Sequence, residues 1–309
     1  MFEKPKQWLN HVGLNHDFSE LPGSAIAFPD GGKFRIEIPE VENAEVFHAM
    51  IQTADNYGVP VHRVSQGTGI TKLSDNELKD IALLGRGNFI EVFLFIGVRG
   101  ENGLGAHARS AGGGSTKKRL QGVSQLLHAL EDVHRALEAG IRGFLVSDEG
   151  LLDVLRGLRE SGDVPADVVL KTSVSMGHGN PASAKVLEKL GADSVNLPVD
   201  LPLESLAAIR QAISAPIDQY IEAPHTFGGS MRLYDIPEIV RVASPVNLKF
   251  GLSTEELTDP IGLHTQHIAI LQIQERIRLA SLGMEILSKD GLLPSMSPVG
   301  TNRSGVPVD

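Results

Sequence analysis

The sequence predicts a single (β/α)8 barrel, a TIM barrel, on three observations. Eight short runs rich in apolar and β-branched residues begin at residues 34, 61, 90, 143, 168, 194, 217 and 246. Amphipathic stretches of helical period fill every interval between them. Each interval is 23 to 29 residues, the length of one strand plus one crossover helix, except a single step of 53. An open doubly wound sheet also alternates strand and helix. Eight evenly spaced units favour the closed ring.

The elements follow in order. Residues 1–33 form an N-terminal extension, with a short helix near Pro5–His11 that the single tryptophan, Trp8, is expected to anchor, and a turn at Pro29-Asp30-Gly31-Gly32. The strands are Phe34–Ile38, Val61–Val64, Ile90–Val98, Gly143–Val146, Val168–Leu170, Ser194–Leu197, Ile217–Ile221 and Val246–Phe250, read as continuously apolar and buried on both faces. Helices are expected at 43–58, 74–84, 119–139, 149–161, 181–190, 203–213, 235–243 and 264–288. Ser74 with Glu77 forms a capping box. Asn180 caps a helix that opens on Pro181. Gly58, Gly85, Gly140, Gly162 and Gly191 read as C-terminal glycines. The barrel thus spans 34–288, and a Gly-, Pro- and Ser-rich tail, 289–309, reads as irregular, wrapping a neighbour or moving.

Composition excludes several classes. Among 309 residues, 28 Lys and Arg face 38 Asp and Glu, a formal charge of −10, and there is no cysteine. Without cysteine there are no disulfides, thiolate nucleophiles or cysteine-ligated iron–sulfur clusters. The acidic balance argues against nucleic acid as a partner. Met1–Asn10 shows no leader pattern. No apolar run reaches the roughly 18 residues of a membrane span. The expectation is a cytoplasmic enzyme with a small-molecule substrate, no membrane partner, and assembly into a homo-oligomer through the last helix and tail.

The 53-residue step holds a Gly-rich loop, 99–119, after strand three. It falls where barrel active sites are built, and loops this long are uncommon unless functional or disordered. Lys117, Lys118 and Arg119 are read as opening the next helix, a favourable place for an anion. Gly100, Gly103 and Gly105 do not make a dinucleotide fingerprint, so NAD is not expected.

Polar residues at the C-terminal ends of strands are the catalytic candidates in a barrel. Here they are Glu37 and Glu40, His62 and Gln66, Arg99, Asp148, Lys171 and Ser173, Asn196, Glu222 and His225, and Lys249. Several would point into a low-dielectric interior and neutralise one another, Lys171 and Lys249 pairing with Glu37 and Glu222. Three chemistries are open. A divalent metal (Mg, Mn or Zn) could be held by Glu37, Asp148, Glu222 and His225. A desolvated Lys171 could form a Schiff base. Glu222, His225 or His178 could act as acid and base, with Arg99, Gln66, Ser173, Asn196 and Lys249 binding a carboxylate or phosphate.

The segment from about 173 to 225 carries a further pattern. Asn180-Pro-Ala-Ser183 opens a helix, Leu190-Gly-Ala192 turns out of it, Val195-Asn-Leu197 is a strand, Leu201-Pro-Leu-Glu204 starts the next helix, and Tyr220-Ile-Glu-Ala-Pro-His225 ends the strand after that. This resembles the collagenase-like peptidase family U32. The resemblance implies a barrel and a peptidase label, and carries over Glu222 and His225. Members of that family bear cysteines at this place and are associated with a cysteine-ligated cluster, nucleic-acid modification or cofactor biosynthesis. This chain has no cysteine, so the resemblance brings no cluster chemistry with it. The readings left open are a lyase, aldolase or isomerase acting on a small polar substrate, a peptidase, and a non-catalytic ligand-binding or assembly barrel.

Overall fold

A computed structural model of the chain describes residues 2–14, 20–97, 118–253, 262–301 and 304–309. It contains eight parallel strands: β1 Phe34–Pro39, β2 Arg63–Ser65, β3 Glu91–Ile96, β4 Gly143–Val146, β5 Val169–Thr172, β6 Val195–Asn196, β7 Ile217–Glu222 and β8 Val246–Phe250. The hydrogen-bonded order runs β5-β4-β3-β2-β1-β8-β7-β6. A parallel bridge between Lys171 and Ser194 joins the two ends and brings the ring to near closure. The TIM barrel expected from the strand–helix alternation is the fold.

The helices are α1 Glu3–His11, α2 Ala44–Tyr57, α3 Asp75–Gly87, α4 Gly122–Glu138, α5 Glu149–Ser161, α6 Pro181–Lys189, α7 Leu203–Ala212, α8 Ile236–Ala243 and α9 Gln266–Lys289. The capping box of Ser74 and Glu77 is present, as is the Asn180 cap with Pro181 behind it. Gly85 does not end α3, which runs on to Gly87. A methyl at Gly85 would lie 2.5 Å from Val92 Cγ2, so this glycine allows helix and strand to approach closely. Helix α4 starts at Gly122, so Lys118 and Arg119 precede it rather than open it. Trp8 does not anchor α1: the helix buries no residue and the indole is 61% exposed. Among the described residues, no helix is long and apolar enough to cross a membrane.

The strands are buried apart from the half-buried Val169 that opens β5, and their outer faces are the more apolar. Ile36, Ile38, Leu94, Phe144, Leu170, Leu248 and Phe250 belong to the apolar layer shared with the helices. The alternate positions turn inward and are largely charged, as Phe34-Arg-Ile-Glu-Ile38 and Val246-Asn-Leu-Lys-Phe250 show. This corrects the expectation of continuously apolar runs, because a barrel interior can be filled with polar groups if they satisfy one another. They do. Arg35 Nη1 donates to Glu91 Oε1 at 2.9 Å, and Arg63 Nε donates to Glu91 Oε2 at 2.6 Å. Arg63 Nη1 donates to Asp218 Oδ1 at 3.1 Å, beside Asn247 Nδ2 at 2.7 Å.

The chain's two ends seal the floor of this interior. Arg35 stacks 4.0 Å over Phe28, donates to Asp30 Oδ2 at 2.7 Å and to Ser297 Oγ at 3.1 Å. His62 Nδ1 accepts from the Ile36 amide, so Nε2 carries the proton given to the Ser297 carbonyl at 2.6 Å. Burial, more than any other cause, holds the His62 pKa down at about 4, which keeps the ring neutral. Met296 bridges Phe34, and the Val92 amide donates to the Gly305 carbonyl at 2.9 Å. The tail carries no periodic pattern, yet Ser297 and Val306 are buried against this same chain.

Candidate functional site

At the opposite end, where the strands terminate, lies a cleft of about 350 Å³ including its open mouth. Its walls come from most of the ring: Glu40 after β1, Ser65 at the end of β2 and Gln66 after it, Ser173 after β5, Asn196 of β6, Tyr220 of β7 and Lys249 of β8, with Lys118 and Phe227 at the rim.

Parallel pairing sets Glu37 beside Lys249 across β1 and β8, and Lys249 beside Tyr220 across β8 and β7. Lys249 Nζ sits 3.5 Å from Glu37 Oε1 and 4.4 Å above the Tyr220 ring. Burial opposes a charge on Lys249, but Tyr220 and Glu37 outweigh it, so its pKa lies above the ordinary lysine value. Ser65 Oγ donates to Glu37 Oε1 at 2.9 Å, and Lys171 binds both Glu37 oxygens. Burial alone would raise the Glu37 pKa, yet Lys171, Lys249 and Arg63 pull it down to about 2. Lys171, wholly enclosed, is lowered to about 8, chiefly by burial.

The second acidic group follows β1. Glu40 adopts a left-handed backbone with φ 60°, unusual for a side chain of its size. Its carboxylate lies on Gly67, where a methyl would come within 2.5 Å of Oε2. Glu42, 4% exposed, accepts from the Gly67 amide at 2.8 Å and the Thr68 amide at 2.9 Å, so the carboxyls of Glu40 and Glu42 both lie against Gly67. Burial and the neighbouring Glu40 raise the Glu42 pKa to about 8. Glu40 goes the other way: burial would raise it, but the Glu42 carboxyl, Arg276, Lys249 and Lys118 lower it. Arg276 of α9 lies fully buried in the field of Glu40, Glu42, Tyr220 and Glu222.

The expected site residues divide. Gln66, Ser173, Asn196 and Lys249 all line the cleft. Gln66 closes its own turn, its amide bonded to both the carbonyl and the N–H of Gly69 at 3.1 Å. Ser173 Oγ pairs with Ser175 Oγ at 2.8 Å. Asn196 is 2% exposed, and neither its side-chain oxygen nor its nitrogen has a hydrogen-bond partner. Lys171 stays below the cleft, in the pair with Glu37. Glu222 is buried, its Oε1 accepting from the Ser253 amide at 2.9 Å, whereas His225 is exposed in a turn, Leu-less and short, at His225–Phe227. Both lysines therefore share Glu37, and Glu222 is not the partner of Lys249. Arg99 lies outside the described residues.

The four metal candidates are not gathered. Glu37 is taken by lysines, and Asp148 caps α5 by accepting from Leu151 N at 2.9 Å. Among the described residues, no group of three His, Asp or Glu side chains is placed to hold a metal ion. His178 Nε2 meets Glu149 Oε1 at 2.9 Å, and burial, then Arg119, lowers its pKa.

Tyr220, which lines the cleft, and Glu42, which sits behind it on the Gly67 amide, are side chains that sequence reasoning passes over. An acid three residues beyond a strand and one before a helix cap reads as solvated, since carboxylates favour helix N-termini on the surface.

Residues 115–227 match the model of Peptidase family U32, a span that contains the whole segment resembling that family. No curated protein matches the sequence. Among solved structures, a putative fructose-1,6-biphosphate aldolase from Coccidioides immitis aligns with a TM-score of 0.50 at 12% identity, over 85% of this chain and 93% of that one. A truncated 3-deoxy-D-arabino-heptulosonate 7-phosphate synthase from Thermotoga maritima gives 0.49 at 12%, over 87% and 94%. A U32 peptidase gives 0.40 at 16%, over 68% and 74%. At such identities the aldolase supports the barrel fold alone, and the other two add no argument. The matched family and these three structures are enzymes by name.

Proposed function

We propose that this barrel is an enzyme that holds a small polar substrate, bearing carboxylate, phosphate or sugar hydroxyls, at its C-terminal mouth and works by acid/base chemistry of the lyase, aldolase or isomerase type. The observation that carries this reading is Asn196. A buried amide with neither donor nor acceptor used costs about 1–3 kcal/mol per unpaired group, a burden that a ligand's own donor and acceptor would lift. Around it, the Lys249 and Lys118 ammonium groups supply positive charge for an anion, in a protein whose net charge is −10. Lys171 is a positioning residue here: it fixes Glu37, which fixes Lys249.

The match to the peptidase family favours a second reading, peptide hydrolysis. The cleft's small volume and its cationic floor suit a small anion better than a polypeptide. Incubating the protein with two panels, small hydroxy acids and sugar phosphates in one and a peptide library in the other, decides between them by NMR and mass spectrometry. The expected result is conversion in the first panel, lost in Asn196→Ala and Lys249→Met. Peptide cleavage alone overturns the acid/base reading, and binding without conversion makes the barrel a binding protein.

A further inference from the structure

We infer that Glu40 and Glu42 together hold one transferable proton at the lip of the cleft and deliver it through Glu40 to an oxygen of the bound substrate, a hydroxy or oxo acid or its phosphorylated equivalent. This rests on the reading of the cleft as a substrate site and adds the group that moves the proton.

Three geometric facts place the pair. Glu40 lines the cleft, while Glu42 lies behind it, anchored by two backbone amides of the Gly67–Thr68 turn. The left-handed backbone at Glu40 turns its carboxylate back across Gly67 toward the site, against the conformational preference of a non-glycine residue. Across the same cleft stands the unpartnered amide of Asn196, which marks the place of a ligand rather than of a mere acidic cluster.

The surroundings fix how many protons the pair carries. Two carboxyls held against the same glycine cannot both ionise without strong repulsion, so one proton stays with the pair. Facing them are Arg276 from α9, Lys249 from β8 and Lys118 at the rim, with Glu222 and Tyr220 also in the field of Arg276. Three cations stabilise the doubly ionised pair once the proton has gone. The upper ionisation, about 8 on Glu42, suits a general acid at neutral pH. In the step itself the substrate oxygen takes the proton, the carboxyl O–H pair of electrons stays on the carboxylate, and the pair recovers a proton from product or from water in the open cleft. No electron is gained or lost.

The test uses the full chain with Glu40→Gln and Glu42→Gln, assayed on hydroxy and oxo acids in one arm and sugar phosphates in the other. Glu40→Gln is expected to lower kcat by at least about 100-fold while the dissociation constant changes less than about threefold. Glu42→Gln is expected to erase the alkaline limb near pH 8 from the kcat profile. Infrared difference spectra at pH 6.5 should show one carboxylic-acid carbonyl band in the parent protein that Glu42→Gln removes. A band identical in both proteins overturns the shared proton even if no compound in either arm is converted. Near-parental kcat and an unchanged pH profile in both variants, with Asn196→Ala and Lys249→Met inactive, overturn this inference and leave the cleft standing. Unimpaired binding in Asn196→Ala and Lys249→Met sinks the reading of the cleft itself.

Discussion

Lys171 is bound to both oxygens of Glu37 with neither side chain exposed to solvent, and Lys249 leans on the same carboxylate from the adjacent strand β8. Removing one member of a buried ion pair strands the other, at about 3–5 kcal/mol. Glu37→Gln should therefore lower stability by that order, measured by denaturant unfolding. Glu37→Gln combined with Lys171→Met should recover part of the loss, and a double variant no better than the single one would refute the pairing as its source.

The same carboxylate gives an acid limb. Its folded pKa of about 2 lies below the unfolded 4.5, so its contribution is complete above pH 4.5 and fades as pH falls toward 2. Unfolding free energies measured across this window should fall more steeply in the parent protein than in Glu37→Gln.

Asn196 predicts a divergence between stability and binding. Truncating its unpaired amide to Ala removes two unsatisfied groups, so stability should change by no more than about 1 kcal/mol. Affinity for the substrate should fall at least about tenfold, because the amide's partners would come from that molecule. Calorimetry on both proteins checks the pair of outcomes; a large loss of stability would show that the amide is structural.

At the floor, His62 titrates at about 4 in the folded chain against 6.5 unfolded. The unfolded chain takes up the proton first, so stability should decline as pH drops from 6.5 to 4. His62→Gln removes that slope. Equal slopes for the two proteins would mean that the imidazole is not held neutral under Ser297.

Gly32 carries the docking of the tail. A methyl there would come within 2.3 Å of Ser297 Oγ and 2.6 Å of its backbone nitrogen. Gly32→Ala should detach residues 297–309, lower the melting temperature and admit proteases to the tail. Cleavage rates equal to those of the parent would contradict the seal.

The periodicity of strands and helices was legible because each unit repeats the same burial problem, and so were the caps at Ser74 and Asn180, which rest on local hydrogen bonds. The polar strand ends pointed to Gln66, Ser173, Asn196 and Lys249, which do meet at the cleft. What the sequence could not disclose depends on distant partners. Arg35, Arg63 and Glu91 look like strand interruptions until the ring closes and sets them against one another. Lys171 and Lys249 look alike in their strands, and only closure leaves one below the cleft and the other on its floor. Glu42 looks solvated until α9 brings Arg276 over it.

The interior charges pair off: Arg35, Arg63, Lys171 and Lys249 of the ring against Glu37, Glu91 and Asp218 of the ring and Asp30 before it. Their lower members are shut from water by Ser297 and the residues beyond it. Every barrel strand leaves the ribosome before Ser297 does. During synthesis the charged bore therefore stays wet and open at its base until every strand of the ring has been made and Ser297 has followed them.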